Sequence, residues 1–294
     1  MSAQPKSRIP AQSKPATLEA SEYARGEGYR LYRGDSLELL NRFEAQSFDL
    51  IFADPPYFLS NGGFTCQGGQ RVRVDKGGWD VSQGVEADHA FTMEWLAACQ
   101  RLLKPSGTLW VSGTQHVIFN VGFAMQRLGL KLLNTVTWYK PNASPNLSCR
   151  YFTHSTELLL WASPGGKGKL RHTFNYAAMK AENGGKQMRD VWALPKAGEE
   201  ELTADGEGRV WSQITPRAGE KQHGRHPTQK PLALLRRVVE ASSEPDALVL
   251  DPFCGSGTTG VAALELGRRF VGLDLDTNYL DLTQRRLEDA AQAG

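Results

Sequence analysis

Apolar and polar positions change period repeatedly along the chain, and these changes predict strands that alternate with helices. Short apolar runs bounded by turn residues predict strands. The predicted strands are YRLYRGDS (29–36), FDLIFA (48–53), TLWVSG (108–113), LLNTVTW (132–138), TELLLWA (156–162), ALVL (247–250) and RFVGLD (269–274). Stretches with helical periodicity predict helices at SLELLNRF (36–43), FTMEWLAACQRLL (91–103), PLALLRRVVEAS (231–242), TTGVAALELG (258–267) and after residue 274. The run Lys104-Pro105-Ser106-Gly107 predicts the end of the second helix.

This alternation favours an α/β fold with a mostly parallel sheet and helices on both faces. Residues 1–28 begin rich in Ser, Ala, Pro and Lys without periodicity and predict a disordered tail, so we expect one domain over 29–294. Two long segments without a clear pattern interrupt that domain, 58–90 and 165–225. Loops longer than about 12–15 residues are usually functional or disordered, so both segments are candidates for function.

Composition narrows the classes of function. The net charge of +2, from 34 basic and 32 acidic residues, gives no global nucleic-acid signal, so an anionic partner needs a local patch. The four cysteines form no C-x-x-C pair, which argues against a zinc site or a disulfide framework and for a reducing compartment. We find neither an apolar run near the roughly 18 residues that span a bilayer nor a signal peptide. We therefore expect a cytoplasmic protein without a metal.

The first candidate site is the corner Asp54-Pro55-Pro56-Tyr57, which ends the apolar strand before it. Consecutive prolines cannot donate to a sheet ladder, and they fix φ near −65°. They stop the strand and hold a stiff backbone with its carbonyl groups free. Such a corner is either a rigid loop or a chemical tool, and the corner alone leaves both interpretations open.

The second candidate site is ALVLDPFCGSGTTG, residues 247–260. A short strand ends in Asp251, and Gly255-x-Gly257-x-x-Gly260 then opens a helix, which is the context of a dinucleotide-binding loop. The next strand ends in Asp274, at about the spacing where an acid binds ribose hydroxyls. Taken alone, this pattern fits NAD as well as any other adenosine cofactor.

Three motifs together carry a family resemblance. Asp-Pro-Pro-Tyr at 54–57, His-Pro-Thr-Gln-Lys-Pro at 226–231 and Asp-Pro-Phe-Cys-Gly-Ser-Gly at 251–257 resemble the β group of S-adenosylmethionine-dependent DNA amino-methyltransferases of restriction–modification systems. In that group the catalytic motif precedes the cofactor motif. The resemblance runs from about Tyr29 to the C-terminus and implies a circularly permuted Rossmann-like methyltransferase fold. It also implies a seven-stranded, mostly parallel sheet.

The resemblance divides the domain into functional parts. It implies a catalytic half over 29–164 that contains the loop 58–90, a target-recognition insertion over 165–225, and a cofactor-binding half over 226–294. The cofactor-binding residues that it implies are Asp35, Ser36, Asp54, His226, Thr228, Lys230, Asp251, Phe253, Cys254, Gly255, Ser256, Gly257 and Asp274.

Several of these residues have a second interpretation. The turn Gly34-Asp35-Ser36 is also typical of a helix N-cap. Asp276 is an alternative to Asp274 for the ribose, but it falls past the strand and is typical of a helix cap. Cys254 is expected to be a small packing residue, because a cysteine that attacks a ring carbon usually follows proline and the chain has no Pro-Cys pair.

The resemblance assigns catalysis to Asp54, Pro55, Pro56 and Tyr57. An exocyclic amino group of adenine or cytosine is a poor nucleophile, because its lone pair is delocalised into the ring. The Asp54 carboxylate and the Pro55 carbonyl would accept its two N–H groups and favour the localised form, while the prolines keep that carbonyl fixed. Tyr57 would stack on a base flipped out of the duplex. Asp-Pro-Pro-Tyr leans to adenine N6, with cytosine N4 as the alternative.

Candidate DNA contacts lie in the two irregular segments, where cations would meet phosphates. They are Arg71, Arg73, Lys76, Lys167, Lys169 and Arg171. The resemblance also places the segment 149–162 near the flipped base, with Phe152 and His154 as candidates. Trp138, Lys140 and Asn142 occupy a similar family segment.

Other classes of function stay open at this point. An NAD-dependent oxidoreductase explains the glycine loop but not Asp-Pro-Pro-Tyr, and a non-enzymatic DNA-binding module would not need both motifs. A protein or RNA methyltransferase is closer, but the permuted order favours double-stranded DNA. Family members often self-associate, so a homodimer is an expectation that nothing in this sequence establishes. A cognate restriction endonuclease can share the system without direct contact.

Overall fold

Nine strands form one sheet in the part of the chain that the structure describes. The structure is a computed structural model that describes residues 17–60, 64–67, 70–73, 80–140, 143, 145–166, 171–193, 220, 223–224, 226 and 228–293. The strands are β1 (Glu22–Gly26), β2 (Tyr29–Arg33), β3 (Phe48–Ala53), β4 (Phe64–Gln67), β5 (Gln70–Arg73), β6 (Leu103–Gly113), β7 (Lys131–Tyr139), β8 (Thr156–Ser163), β9 (Val191–Ala193), β10 (Leu248–Asp251) and β11 (Arg269–Asp274). The helices are α1 (Ser36–Leu40), α2 (Val85–Leu102), α3 (Ile118–Arg127), α4 (Tyr176–Glu182), α5 (Leu232–Ser242), α6 (Thr258–Glu265) and α7 (Thr277–Ala293), with a 3₁₀ turn at Glu19–Ser21.

The sheet order brings together strands that are far apart along the chain. The order is β1-β2-β11-β10-β3-β6-β8-β7-β9, and β4 pairs with β5 in a separate hairpin. The strands β2, β11, β10, β3 and β6 run parallel, whereas β8 runs antiparallel to both of its neighbours. Val249 of β10 lies opposite Leu50 of β3. The two strands that carry the sequence motifs are therefore direct neighbours.

Strand β3 shows why the sheet is covered on both faces. Successive side chains of a strand point to opposite faces. Leu50 and Phe52 pack in one core with α5, α6 and α7, whereas Ile51 and Ala53 pack in the other core with α1, α2 and α3. A strand buried on both sides needs a near-continuous apolar run, which FDLIFA supplies.

The topology determines where a ligand can bind. The chain passes from β10 into α6 on one face of the sheet, and from β3 towards α2 on the other. Helices that leave adjacent strands towards opposite faces open a crevice at the carboxyl ends of those strands. Asp251 and Asp54 both lie at that crevice.

The fold class is confirmed, and the strand count is corrected. The sheet has nine strands rather than seven, because β1 and β9 extend its two edges. Strand β1 lies within the predicted tail 1–28, so the prediction of disorder is wrong for residues 22–26, which pair antiparallel with β2. A strand of five residues, of which three are half-buried and two are exposed, gives little apolar signal on its own.

The two irregular segments contain regular structure. Within 58–90 the chain forms the β4–β5 hairpin, and α2 begins at Val85 rather than at residue 91. Within 165–225 it forms α4 and the short strand β9, which pairs with β7. The run 104–107 belongs to β6, which follows α2 directly. Of the described helices, none combines the length and apolar character needed to cross a bilayer.

The third glycine of the glycine loop is required for packing between α6 and the sheet. A Cβ atom on Gly260 would lie 2.5 Å from two ring atoms of Phe270, which is 1% exposed. We expect Gly260→Ala to destabilise the protein by about 1–3 kcal/mol, because this overpacking outweighs the better helix propensity of alanine. Chemical denaturation measures the change. Gly122→Ala in α3 is the control, since its nearest atom would be 3.4 Å away, and an equal loss in both variants would contradict the packing argument.

Candidate active site

A cleft of about 650 Å³ opens at the carboxyl ends of β2, β11, β10 and β3. Its volume lies within the roughly 300–1,000 Å³ typical of small-molecule sites. All of the predicted cofactor residues except Gly257 line it. Pro56 of the predicted catalytic motif and Asp276, the alternative to Asp274, also line it. The other lining residues were not assigned to a site from the sequence, namely Arg33, Gly34, Leu37, Phe91, Gln229, Pro252, Thr258, Thr259, Leu273, Leu275, Thr277 and Tyr279.

Two buried carboxylates lie in the cleft. Asp251 accepts hydrogen bonds from the Phe253 amide at 3.0 Å and the Thr259 hydroxyl at 2.6 Å. Burial raises the pKa of Asp251 to about 7, against the lowering effect of these two bonds. Burial likewise raises the pKa of Asp274 to about 6, although the amides of Asp276 and Gly255 donate to it at 2.9 Å. Both carboxylates would gain from a ligand that brings positive charge or hydroxyl donors.

Glycine is required at two positions of the loop, for a different physical reason at each. Gly255 has φ +50°, and a Cβ atom there would lie 3.0 Å from the His226 ring. Gly257 has φ +70°, and a Cβ atom there would lie 2.5 Å from Thr283 of α7. Only glycine adopts such φ values without strain. Gly255 therefore keeps the cleft wall open, whereas Gly257 lets α7 approach the loop.

Three predicted residues also hold the cleft together. Asp35 caps α1 by accepting from the Glu38 amide at 3.1 Å, so the capping interpretation is correct and the residue also lines the cleft. The Ser36 hydroxyl donates to the Pro252 carbonyl at 2.5 Å, which ties the start of α1 to the glycine loop. Asp276 accepts from the Asn278 amide at 2.8 Å, immediately before α7.

Further predicted residues form the wall around the loop. The His226 ring meets the Tyr279 ring edge to face at 4.3 Å, and the Thr228 amide donates to His226 Nδ1 at 3.3 Å. Phe253 packs against Trp95. Cys254 is buried, and burial raises its thiol pKa well above the ordinary value, which suits packing and not nucleophilic attack.

The Asp54 carboxylate is surrounded by donors from its own chain. Its Oδ1 accepts from the Tyr57 hydroxyl at 2.6 Å and from the Ser112 hydroxyl at 2.5 Å. Its Oδ2 accepts from the Lys230 ammonium at 2.6 Å. Lys230 lies 3.7 Å from Glu157 Oε2. The Asp-Pro-Pro-Tyr corner and the His-Pro-Thr-Gln-Lys-Pro segment are thus joined by a buried ion pair.

This ion pair determines the protonation states of the corner. Burial opposes charge on Asp54, but the Lys230 charge and the three hydrogen bonds lower its pKa below the ordinary value. Burial also opposes charge on Lys230, but Asp54 and Glu157 raise its pKa. The pKa of Tyr57 is raised well above its ordinary value by burial and the neighbouring carboxylates. The corner holds a carboxylate, an ammonium and a neutral phenol.

Two residues make contacts that their predicted roles did not include. Lys230, expected at the methionine end of the cofactor, contacts Asp54 and also donates to the Tyr57 hydroxyl at 3.2 Å. Tyr57, expected to present a stacking face, is 7% exposed and has the Lys230 ammonium 5.3 Å from its ring centre. Its ring is covered because its hydroxyl is bonded to Asp54.

Asp80 organises the loop after the Asp-Pro-Pro-Tyr corner, and no motif of the sequence pointed to this residue. It is fully buried and accepts from the Tyr57 amide at 3.0 Å, the Leu59 amide at 3.1 Å and the Ser60 hydroxyl at 2.9 Å. Between the two amides lies Phe58, which has φ +55°, a conformation that is uncommon for any residue but glycine. Asp80 holds the loop in that conformation.

Ser112 and Glu157 were also not predicted as site residues, although the sequence position of each could have pointed to the site. Ser112 lies near the carboxyl end of β6, which runs parallel to β3, so both strand ends meet at one edge. Glu157 is a charged residue at the start of the apolar strand β8, which runs antiparallel and therefore starts at that same edge.

The candidate DNA contacts lie partly within the described residues. Arg71 and Arg73 belong to β5, and Arg171 is exposed, whereas Lys76, Lys167, Lys169 and Asn142 lie outside the described residues. Phe152 is 94% exposed, and His154 is exposed beside Tyr151 and Gln115. Trp138 is buried in the core.

Comparisons with known proteins agree on one family. The family model described as DNA methylase matches residues 48–285. The Type II methyltransferase M2.LlaDCHI of Lactococcus lactis subsp. cremoris is 47% identical over 94% of this chain and 96% of its own length. The Type II methyltransferase M2.DpnII of Streptococcus pneumoniae is 48% identical over 88% and 89%. The crystal structure of the M1.HpyAVI–SAM complex has a TM-score of 0.55 at 24% identity, covering 88% of this chain and 98% of that one, which shows a shared fold.

The Asp80 anchor can be tested by its removal. We expect Asp80→Ala to destabilise the protein, because three donors lose their acceptor and an unsatisfied buried donor such as the Tyr57 amide costs roughly 1–3 kcal/mol. Thermal and chemical denaturation measure the loss. Asp88→Ala is the matched control, since Asp88 accepts from Ser82 and Gln83 in the next loop but is partly exposed to water. Equal stability of the two variants would contradict the anchoring role of Asp80.

Proposed function

Because the chain belongs to the DNA methylase family, we propose that it transfers a methyl group from S-adenosylmethionine to the N6 amino group of adenine in double-stranded DNA. The observation that carries this proposal is the shared cleft. Asp54 and Pro56 of the catalytic corner line the same cleft as Asp251, Gly255 and Asp274 of the glycine loop and its neighbouring strand. A carboxylate acceptor therefore opens directly onto a small-molecule site.

The cleft suits S-adenosylmethionine chemically. Asp251 would bind the ammonium group of the methionine end, and Asp274 would accept from ribose hydroxyls. Gly255 keeps the wall beside His226 free of a side chain. When bound, the cofactor supplies a methyl group on a cationic sulfonium, which passes to the amino nitrogen as the carbon–sulfur bond breaks.

The protein's contribution is to prepare the amino group. Asp54 is held ionised by Lys230 and so can accept an N–H bond from the target base. The two prolines fix the backbone, so the Pro55 carbonyl needs little reorganisation to accept the second N–H bond. Holding the reacting atoms close together contributes much of the rate. The methylated nitrogen would then release one proton to solvent water, while the sulfur keeps the electron pair of the broken bond.

We propose adenine rather than cytosine as the target base because of the residues that form the corner. Asp-Pro-Pro-Tyr leans to adenine, and transfer to cytosine N4 is the alternative on the same fold. An NAD-dependent oxidoreductase leaves Asp54 and its three donors without a use. Analysis of the methylated nucleosides separates the two bases.

The DNA path is proposed along the two irregular segments. The target base would leave the duplex to reach Asp54. Arg71, Arg73, Lys76, Lys167, Lys169 and Arg171 are proposed phosphate contacts, and the 165–225 segment is the proposed target-recognition region. The exposed rings of Tyr151 and Phe152 support a DNA contact by the loop before β8, outside the catalytic corner.

We also propose a homodimer, a restriction system and a cytoplasmic location. The exposed pair Phe119 and Phe123, one turn apart on α3, supports a homodimer. The Type II names of the relatives support a restriction system, in which a cognate endonuclease acts without contacting this protein. A DNA substrate supports a cytoplasmic location.

The central test is methyl transfer from labelled cofactor to DNA, RNA and protein. We expect label on the N6 amino group of adenine in DNA with the natural chain. Asp54→Ala should lower transfer by at least about 10²-fold while cofactor binding stays nearly intact, because Asp54 meets the amino group. Asp49→Ala is the control, since Asp49 also lies on β3 and pairs with Lys104, but at the opposite end of the strand. Label on cytosine N4 would favour cytosine as the target base. Thermal stabilisation by NAD but not by S-adenosylmethionine would refute the proposed methyltransferase function.

The raised pKa of Asp251 predicts a pH dependence of cofactor binding. A proton on Asp251 competes with the cofactor ammonium, so affinity should fall as pH drops below about 7, approaching tenfold per pH unit. Calorimetry between pH 7.5 and 5.5 measures this fall. Asp251→Asn should bind more weakly at pH 7.5 and should lose the fall near pH 7, leaving only the titration of Asp274 near pH 6. An unchanged pH profile in Asp251→Asn would contradict the ammonium contact.

A further inference from the structure

The acceptor capacity of Asp54 is largely taken up by donors of its own chain. Oδ1 binds two hydroxyl groups, of Tyr57 and Ser112, and Oδ2 binds the Lys230 ammonium at 2.6 Å. An ammonium this close draws electron density from the oxygen that the target amino group needs. Asp54 is thus held ionised and in place, but its remaining oxygen is a weakened acceptor.

Lys230 lies between two carboxylates. Its Nζ is 2.6 Å from Asp54 Oδ2 and 3.7 Å from Glu157 Oε2. That Glu157 oxygen is buried and has no hydrogen-bond partner among the described residues. A charge-assisted hydrogen bond has a length of about 2.7–2.9 Å, so a movement of roughly 1 Å would complete the second pair.

We propose that Glu157 is a positioning residue that takes over the Lys230 ammonium when the target amino group reaches Asp54. This inference rests on the proposed function. Entry of the amino group brings N–H donors to Oδ2, and Lys230 moves to the free oxygen of Glu157. Asp54 then accepts from the base with its full charge. The ammonium remains in the site, so the charges of the three side chains are unchanged in sum.

Glu157 is held where this exchange requires it. Its Oε1 pairs with Lys140, which directly follows β7. Its backbone lies opposite Trp138 in the β7–β8 register, and Trp138 is buried in the core. Glu157 is therefore a fixed acceptor, and Lys230 has the flexible stem that a movement of this size requires.

Kinetics test the role of the Glu157 charge. We expect Glu157→Gln to lower kcat about 10- to 100-fold, the scale of a 1 Å misplacement, because Lys230 stays on Asp54. KM for DNA and the affinity for S-adenosylmethionine should stay nearly unchanged. A purely structural role would instead lower the melting temperature and change KM as well.

Glu182→Gln is the matched control. Like Glu157, Glu182 uses Oε1 for an ion pair, in this case with Arg237. Its Oε2 is also buried without a hydrogen-bond partner among the described residues. Glu182, however, lies on α4, outside the cleft. A loss of kcat in both variants, or in neither, would overturn the proposal. A wild-type chain that transfers no methyl group to DNA would instead refute the proposed function.

A structure of the wild-type chain keeps the proposal testable if Glu157→Gln does not fold. Sequencing of methylated host DNA gives the recognition sequence, and a duplex with that sequence is crystallised with the chain and S-adenosylhomocysteine. We expect Lys230 Nζ within about 3 Å of Glu157 Oε2 and the target amino group on Asp54. Lys230 still bound to Asp54 beside a seated target base would overturn the exchange.

Discussion

The active site depends on one buried ion pair, between Asp54 and Lys230. These residues lie 176 positions apart in the chain, and each is unfavourable in the interior without the other. Removing one partner of a buried pair usually costs about 3–5 kcal/mol, because a charge is left without compensation. The pair therefore ties the Asp-Pro-Pro-Tyr corner to the His-Pro-Thr-Gln-Lys-Pro segment. It also keeps Asp54 ionised in a place where burial would favour the neutral acid.

The sheet makes this pair possible. Because β10 lies directly beside β3, the two motif strands end at one edge, and their carboxylates reach one cleft. The buried acids of that cleft differ in protonation for physical reasons. Asp54 has an ammonium and two hydroxyl groups, which lower its pKa. Among the described residues Asp251 accepts only from an amide and a hydroxyl, so burial dominates and raises its pKa to about 7.

The sequence predicts those parts of the fold whose signals are local. Strand β3 and helix α5 follow from an apolar run and a helical stripe, and the glycine loop follows from its position between a strand and a helix. Strand β9 has three residues, and its pairing with β7 depends on contacts made after folding. The partners of Asp54 could not be predicted, because a long lysine side chain can point in many directions until the tertiary structure selects one. Asp80 could not be predicted either, because two of the groups that donate to it are backbone amides, which nearly every residue provides.

The sheet order has a consequence for how the enzyme is made. Strands β10 and β11 lie in the middle of the parallel region, between β2 and β3, yet ribosomes synthesise them after all the other strands. Until they emerge, β2 and β3 each expose an unpaired edge, and such edges invite aggregation. Closing the sheet then requires pairings of high sequence separation, which fold slowly. The nascent chain thus lacks both the cleft and the Lys230 partner of Asp54, so DNA modification must await the completion of synthesis.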